Sequence, residues 1–468
     1  MTSRAGGLLE LVARGKKDVF FSANPVVSRF HSVYRKSAPF TRETYVAKPR
    51  NIAEWGKWVD FDIEHRGDIL SQTYLRIELP TWLPSDAVEI NKRGIVTIDD
   101  VTYGYCNNVG FQCINKIQLF NDQILIHEMY GEYLDWRLRQ SYNMATTFVV
   151  AKDVGSREET PLAIGRSAST LILRVPIPIL GWQHLGDPGL PLIALRNQRF
   201  RMRVHFRNLE EIVVASDHRL RPTPWGGKSL KMQSTPSGPI DESTTLAYTA
   251  MKKPCVSLEC EYKYVGPDVA TFIKAGIWHI PFYHIQFQET TIEDNALTAA
   301  STSSVDTFNF PILADFIGSV DHILLGFRSE ACTLAGERNV LRSVNNKPYI
   351  RTVRVNIANI DRIKQWSTDI LRDVASYWKQ TRGALSPYTH SGNLEEIYTL
   401  TFGGFDKDTP AGTLNFTRAV QPTMYLTLNS IDYDPRNISR KTYALIYARS
   451  WNIFRISNGM GSMMFDDS

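Results

Sequence analysis

The sequence has no uninterrupted apolar run long enough to cross a bilayer. Its best stretch, Leu171 to Trp182, is broken by Arg174, Pro176 and Pro178. It also lacks any Cys-x-x-Cys pair among Cys106, Cys113, Cys255, Cys260 and Cys332. An odd count without a secretory signal predicts reduced, buried structural thiols. The N-terminus has neither the long apolar core nor the small-residue cleavage site of a leader, and Met1-Thr2 lacks the glycine that myristoylation needs. Missing too are a Gly-x-Ser-x-Gly elbow and a catalytic cysteine with a placed histidine.

Four partial motifs fail on inspection. Gly226-Gly227-Lys228-Ser229 resembles the end of a phosphate-binding loop, but the first glycine of that motif would fall on Pro222, and Pro236 stops the helix that must follow. His127-Glu128 opens like a zinc-protease helix, yet the second histidine would fall on Gly131. His279 and His284 are five apart around Pro281, so on a strand they face opposite ways. Glu128 and Glu132 are spaced to share a helix face, with Gly131 between them and no cleft to serve. The ten histidines are scattered. These failures predict no catalytic set, no metal and no cofactor. A chain this long without such a constellation builds something rather than transforming something.

What is present is β-like. The chain has 468 residues, of which 43% are hydrophobic and 11% aromatic, with 23 Pro and 29 Gly; this favours two domains made of strands and turns. Tyr74 to Leu79 alternates and is closed by Pro80. Ile114 to Ile126 is apolar and broken at Asn121-Asp122. Leu171 to Ile179 reads as a strand whose prolines suit an edge. Phe200, Met202, Val204 and Phe206 alternate with Arg199, Arg201, Arg203, His205 and Arg207, which gives one core face and one basic face. Arg199, Arg201, Arg203 and Arg207 are therefore a candidate contact face for an acidic partner, against the plainer reading of a solvated sheet face. Helices are expected over Glu128 to Arg139 and, longest of all, over Asp361 to Lys379.

Charge is concentrated at the start. The first fifty residues hold ten Lys and Arg against three acidic residues, an excess of +7 in a chain whose total is +5, so the remainder sums to −2. Leu8, Leu9, Leu11 and Val12 make one apolar turn too short to be stable alone. Arg4, Leu8, Leu9, Arg14, Lys16 and Lys17 thus form an arm that needs a surface to lie on. A Pro, Gly and Ser-rich stretch near the midpoint reads as a linker. The organisation expected is an arm over 1–28, a first sandwich over 29–220, a linker over 221–245 and a second sandwich over 246–468.

Several motifs, in order, carry a family likeness. They are Gly6-Gly7-Leu8-Leu9-Glu10-Leu11-Val12-Ala13, Arg66-Gly67-Asp68-Ile69, Leu190-Pro191-Leu192-Ile193-Ala194-Leu195, Gly412-Thr413-Leu414-Asn415-Phe416-Thr417-Arg418, and Asn452-Ile453-Phe454-Arg455-Ile456 with Gly459-Met460-Gly461. Together they resemble the major capsid proteins of nucleocytoplasmic large DNA viruses. The resemblance implies an all-β chain of two tandem eight-stranded antiparallel jelly-roll sandwiches with short helices in loops. It implies homotrimers with a pseudo-hexagonal footprint that tile an icosahedral shell, assembled in the host cytoplasm or a virus factory. Partners would be neighbouring trimers, minor capsid proteins and an internal membrane layer contacted by the arm, with no sequence-specific nucleic acid. A minor capsid or glycan-binding surface paralogue of the same fold stays open as an alternative.

Overall fold

The computed structural model describes residues 39–80, 101–140, 253–293, 309–334, 348–375, 396–402, 412–429 and 441–465, most of 152–216 and 336–341, and short pieces at 89–90, 96–98, 220–221, 227–231 and 242–246. The arm lies outside these residues. The segment Met1–Phe40 forms a unit separate from Thr41–Ser468, which is one compact body.

The first sandwich is two four-stranded antiparallel sheets. One has the order β1-β10-β3-β7, with β1 Phe40–Ala47, β3 Ile69–Leu79, β7 Leu171–Ile177 and β10 Cys255–Val265. The other has the order β2-β8-β5-β6, with β2 Trp58–Ile63, β5 Ile114–Asn121, β6 Ile124–Tyr130 and β8 Phe200–Phe206. β4 Val101–Tyr105 and β9 Val213–Ala215 pair with each other in a separate sheet of short strands. The alternation read from Phe200 to Phe206 holds: the four apolar side chains are buried and their neighbours half-buried. Two facing sheets each need one dry face, which is what a period of two supplies. Leu171–Ile177 is an edge strand, as its prolines suggested.

The second sandwich pairs a sheet of order β11-β18-β13-β16 with one of order β12-β17-β14-β15. Their ranges are β11 Trp278–Ile292, β12 Asn309–Leu313, β13 Ser319–Ser329, β14 Ile350–Ile357, β15 Ile360–Ser367, β16 Ile397–Thr401, β17 Thr423–Leu428 and β18 Thr442–Ser457. The first of these sheets also carries short strands at Leu414–Asn415 and Met460–Met463. Its own core holds Ile323, Leu325, Phe327, Val353, Val355, Met424, Leu426, Ile446 and Ala448.

Four expectations need correction. Glu128 to Arg139 is not one helix: Glu128 and Tyr130 end β6, and the helix, α1, is Gly131–Gln140. Gly131 sits at this corner because a Cβ there would lie 2.3 Å from the Phe111 carbonyl oxygen and 2.4 Å from that of Ile114. Asp361 to Lys379 is not one helix over its described residues: β15 runs to Ser367, and helical turns begin only at Thr368, with a π-turn over Ile370–Val374. Cys255 is exposed, although the other four thiols are buried and all five are free. Finally, β10 pairs with β1 and β3, so 255–265 belongs to the first sandwich rather than the second. Within the expected linker, Gly227–Lys231 and Glu242–Leu246 pair as antiparallel strands, which removes the helix that the phosphate-loop reading needed.

Candidate functional site

The main buried constellation is the seam between the sandwiches. It is built on the back of the β11-β18-β13-β16 sheet. One face of that sheet fills the second core; the other meets α1 and β6 of the first sandwich. Tyr283, Ile285, Leu324, Leu445 and Tyr447 accordingly belong to the first core. A sheet covered on both faces has no polar alternation, and β13 is buried from Val320 to Ser329.

α1 lies against this back face. The Trp136 ring meets that of Tyr447 edge-on, with centroids 5.0 Å apart, and Tyr447 stacks on Phe287 at 4.8 Å. Around this aromatic patch runs a charged network. Glu132 of α1 accepts from Arg328 Nη1 of β13, and the Tyr447 hydroxyl donates to its other oxygen at 3.3 Å. Arg207, just past β8, lies 3.7 Å from both Glu132 and Glu211; Arg338 donates to Glu211 at 2.9 Å, and Arg328 donates to the Arg338 carbonyl at 3.1 Å. Burial pushes the Glu132 carboxyl up, but Arg328, Arg338 and Arg207 outweigh it and leave the pKa below the ordinary value. Burial, with Arg207 and Arg328 beside it, lowers Arg338 to about 10. A carboxylate from one sandwich and guanidinium groups from both thus fix one relative placement.

A second pair lies on the same back face. Arg449 of β18 grips Asp321 of β13 through Nε, 3.0 Å from Oδ1, and through Nη2; it also lies 5.2 Å from the ring centroids of Tyr283 and Trp451. His322 Nδ1 is 2.9 Å from Asp321 Oδ1, close but without hydrogen-bond alignment. Burial raises the Asp321 carboxyl, and His322 and Arg449 more than reverse it. Burial lowers His322 to about 4, despite Asp321.

The basic face of β8 is divided. Arg203 holds Asp60 of β2 through two hydrogen bonds, at 2.7 and 3.0 Å, and Arg201 lies 3.9 Å from the same carboxylate. Both guanidinium groups also sit over the Phe120 ring, at 5.4 and 4.9 Å. Burial raises the Asp60 carboxyl, and Arg203, Arg201 and Arg50 bring it below its ordinary value. Arg199 is exposed. Arg207 is not on a contact face at all: its side chain is 9% exposed and belongs to the seam. The Glu128 and Glu132 pair is split between the sheet surface and the seam, since Glu128 accepts from Lys116, Gln118 and Tyr130. Among the described residues no group of histidine, cysteine and carboxylate side chains is arranged to hold a metal ion. Sequence reasoning missed the seam, because Glu132 and Arg328 are 196 residues apart and no local pattern joins them.

Comparisons with known proteins agree with this architecture. Residues 28–262 match the family described as "Major capsid protein N-terminus", and that match ends inside β10, the last strand of the first sandwich. The chain is 25% identical to the "Major capsid protein" of Pyramimonas orientalis virus, over 99% of this chain and 100% of that protein. It is 28% identical to "Capsid protein 1" of Acanthamoeba polyphaga mimivirus over 46% of this chain, and spans only 36% of that relative's length. In structure it is similar to VP54 of PBCV-1, with a TM-score of 0.68 at 14% identity, covering 94% of this chain and 100% of that one.

Proposed function

The chain belongs to the family of major capsid proteins, and on that premise we propose that it is a structural subunit of the shell of a large DNA virus. Three copies close around one axis, so that six sandwiches form a pseudo-hexagonal tile, and tiles join into an icosahedral layer. The observation that carries this reading is the family match over the first sandwich, joined by a dry, charge-pinned seam to a second sandwich of similar build. Two barrels held rigidly side by side suit a tile that must keep its outline against neighbours. Ile172, Phe272, Ile277 and Leu313 are exposed apolar groups of the kind that contacts between copies cover. The role is structural rather than catalytic. The test is the size and shape of the purified chain by light scattering and negative-stain microscopy. Trimers with a six-lobed outline are expected; a stable monomer at shell-like concentrations would overturn the reading.

The finer parts of the proposal rest on the sequence. The arm, with Arg4, Leu8, Leu9, Arg14, Lys16 and Lys17, lies on the inner face and anchors the tile to minor capsid proteins or a membrane layer, and assembly takes place in the host cytoplasm or a virus factory. Deleting residues 1 to 26 should lower particle yield; undiminished yield and stability would dispose of the anchor. Arg199 and Arg201 remain a proposed contact face for an acidic neighbour. Copies per purified particle separate a shell subunit, which dominates the particle, from a rare surface paralogue.

A further inference from the structure

We propose that the seam carries an acid-sensitive latch: His127 and His284, one imidazole from each sandwich, hold the sandwiches together while neutral and release them when they charge. This does not depend on the shell assignment. The two rings stand 6.0 Å apart, His127 on β6 and His284 on β11. His127 is 2% exposed, and its Nε2 lies 2.8 Å from the Tyr283 carbonyl oxygen of β11. A carbonyl only accepts, so Nε2 carries the proton and Nδ1 is bare in the neutral ring. That hydrogen bond joins the two sandwiches directly. The rings of Phe282 and Tyr283, at 6.0 and 6.3 Å, wall the site with apolar surface.

Each neighbouring element offers little to stabilise a second charge here. From β6 comes Glu128, whose charge favours protonated His284 but is already engaged by Lys116 and Gln118 of β5 and by Tyr130. From β5, Leu119 lies opposite His127. From β18, Ser450 lies opposite His284, and Arg449, a cation, sits over the Tyr283 ring. Two imidazolium ions at this separation would repel each other with no carboxylate set between them.

The direction of the response follows. Burial, then the neighbouring His284, lowers His127 to about 3, against the pull of the Tyr283 carbonyl; burial lowers His284 to about 4, against the pull of Glu128. Once the seam opens, both return toward the ordinary value of about 6.5. Below that pH the open form binds more protons, so falling pH favours opening. At pH 4.5 each ring shifts the closed-to-open ratio by up to about 100-fold. The cores of the sandwiches need not melt for this to happen.

The test is hydrogen exchange on the full chain, read by mass spectrometry between pH 7 and 4.5 with correction for intrinsic rates. Amides of 124–130 and 278–292 should lose protection below about pH 5.5, while those of 350–357 and 423–428 keep theirs. In H127Q/H284Q, where glutamine can still donate to the Tyr283 carbonyl, the midpoint should fall well below that of the parent or leave the range altogether. If the double variant does not fold at pH 7, H284Q alone should give a smaller shift in the same direction. An unmoved midpoint in whichever variant folds, or seam and core losing protection together, would overturn the latch.

Discussion

Trp136 fills the space that Gly326 leaves by having no side chain. A Cβ built on Gly326 would lie 2.4 Å from Cη2 of that indole and 2.8 Å from Cζ2. One residue belongs to the helix of the first sandwich and the other to a central strand of the second, so the closeness of the sandwiches is set at this point.

Gly326→Ala should therefore wedge the seam open and cost about 1–3 kcal/mol, the usual range for overpacking. Trp136→Ala should cost about 3–5 kcal/mol through the cavity it leaves. Combining Gly326→Ala with Trp136→Phe should cost less than the sum of the single changes, because a smaller ring admits the methyl group. Denaturant unfolding of the four variants checks this; strict additivity would mean that the two positions do not meet.

Removing Glu132 should be worse than its size suggests. Glu132→Gln leaves Arg328, only 1% exposed, without its counter-charge, beside Arg207 and Arg338. A loss of about 3–5 kcal/mol is expected. Arg328→Met added to Glu132→Gln should recover part of it. A single variant as stable as the parent would show that the charge network contributes nothing to the seam.

The basic face of β8 is not uniform, so charge reversals along it should separate. Arg203→Glu places a carboxylate against Asp60, which is 9% exposed, and should destabilise the chain by on the order of 2–3 kcal/mol. Asp60→Asn should relieve much of that. Arg201→Glu and Arg199→Glu should each cost under about 1 kcal/mol. An assembly test of this face therefore uses Arg199 and Arg201, and equal thermal shifts at Arg201 and Arg203 would contradict the pairing described.

Thiol chemistry gives an inexpensive check on the fold. Cys255 is exposed at the start of β10, whereas burial raises Cys106 and Cys260 to about 12 and Cys113 higher still. Under native conditions an aromatic disulfide reagent should react rapidly with Cys255 alone, and with all five thiols only after denaturation. Fast native reaction at Cys260 would argue against β10 as an interior strand.

Strands with one wet face were legible from sequence, and Phe200 to Phe206 was read residue by residue, because its polar positions stay at the surface. β15 was not. On that edge strand Ile363 is buried and Trp366 half-buried, while Arg362, Lys364 and Gln365 are exposed; the three-residue apolar spacing imitates a helix. β13, and β18 as far as Ser450, gave no period because both of their faces are buried there. Glu128 and Glu132 looked like partners on one helix because nothing local reveals that Gly131 turns the chain between them. The basic arm and the Arg199 to Arg207 stripe drew attention by their charge, yet the buried charges Glu132, Asp321, Arg328 and Arg449 lie singly in ordinary-looking text. Their partners are supplied by topology.

The placement of β10 also constrains how the chain can come to be folded. It lies between β1 and β3, with Cys260 opposite Thr73, so the sheet has an empty middle until residues 255–265 exist. At ordinary synthesis rates the strand Phe40–Ala47 waits on the order of 10–40 s for its neighbour. During that interval the nascent polypeptide carries an unfinished ladder with open hydrogen-bonding groups, a template for mispairing with other nascent copies. An organism that makes much of this protein at once therefore has to shield half-made chains.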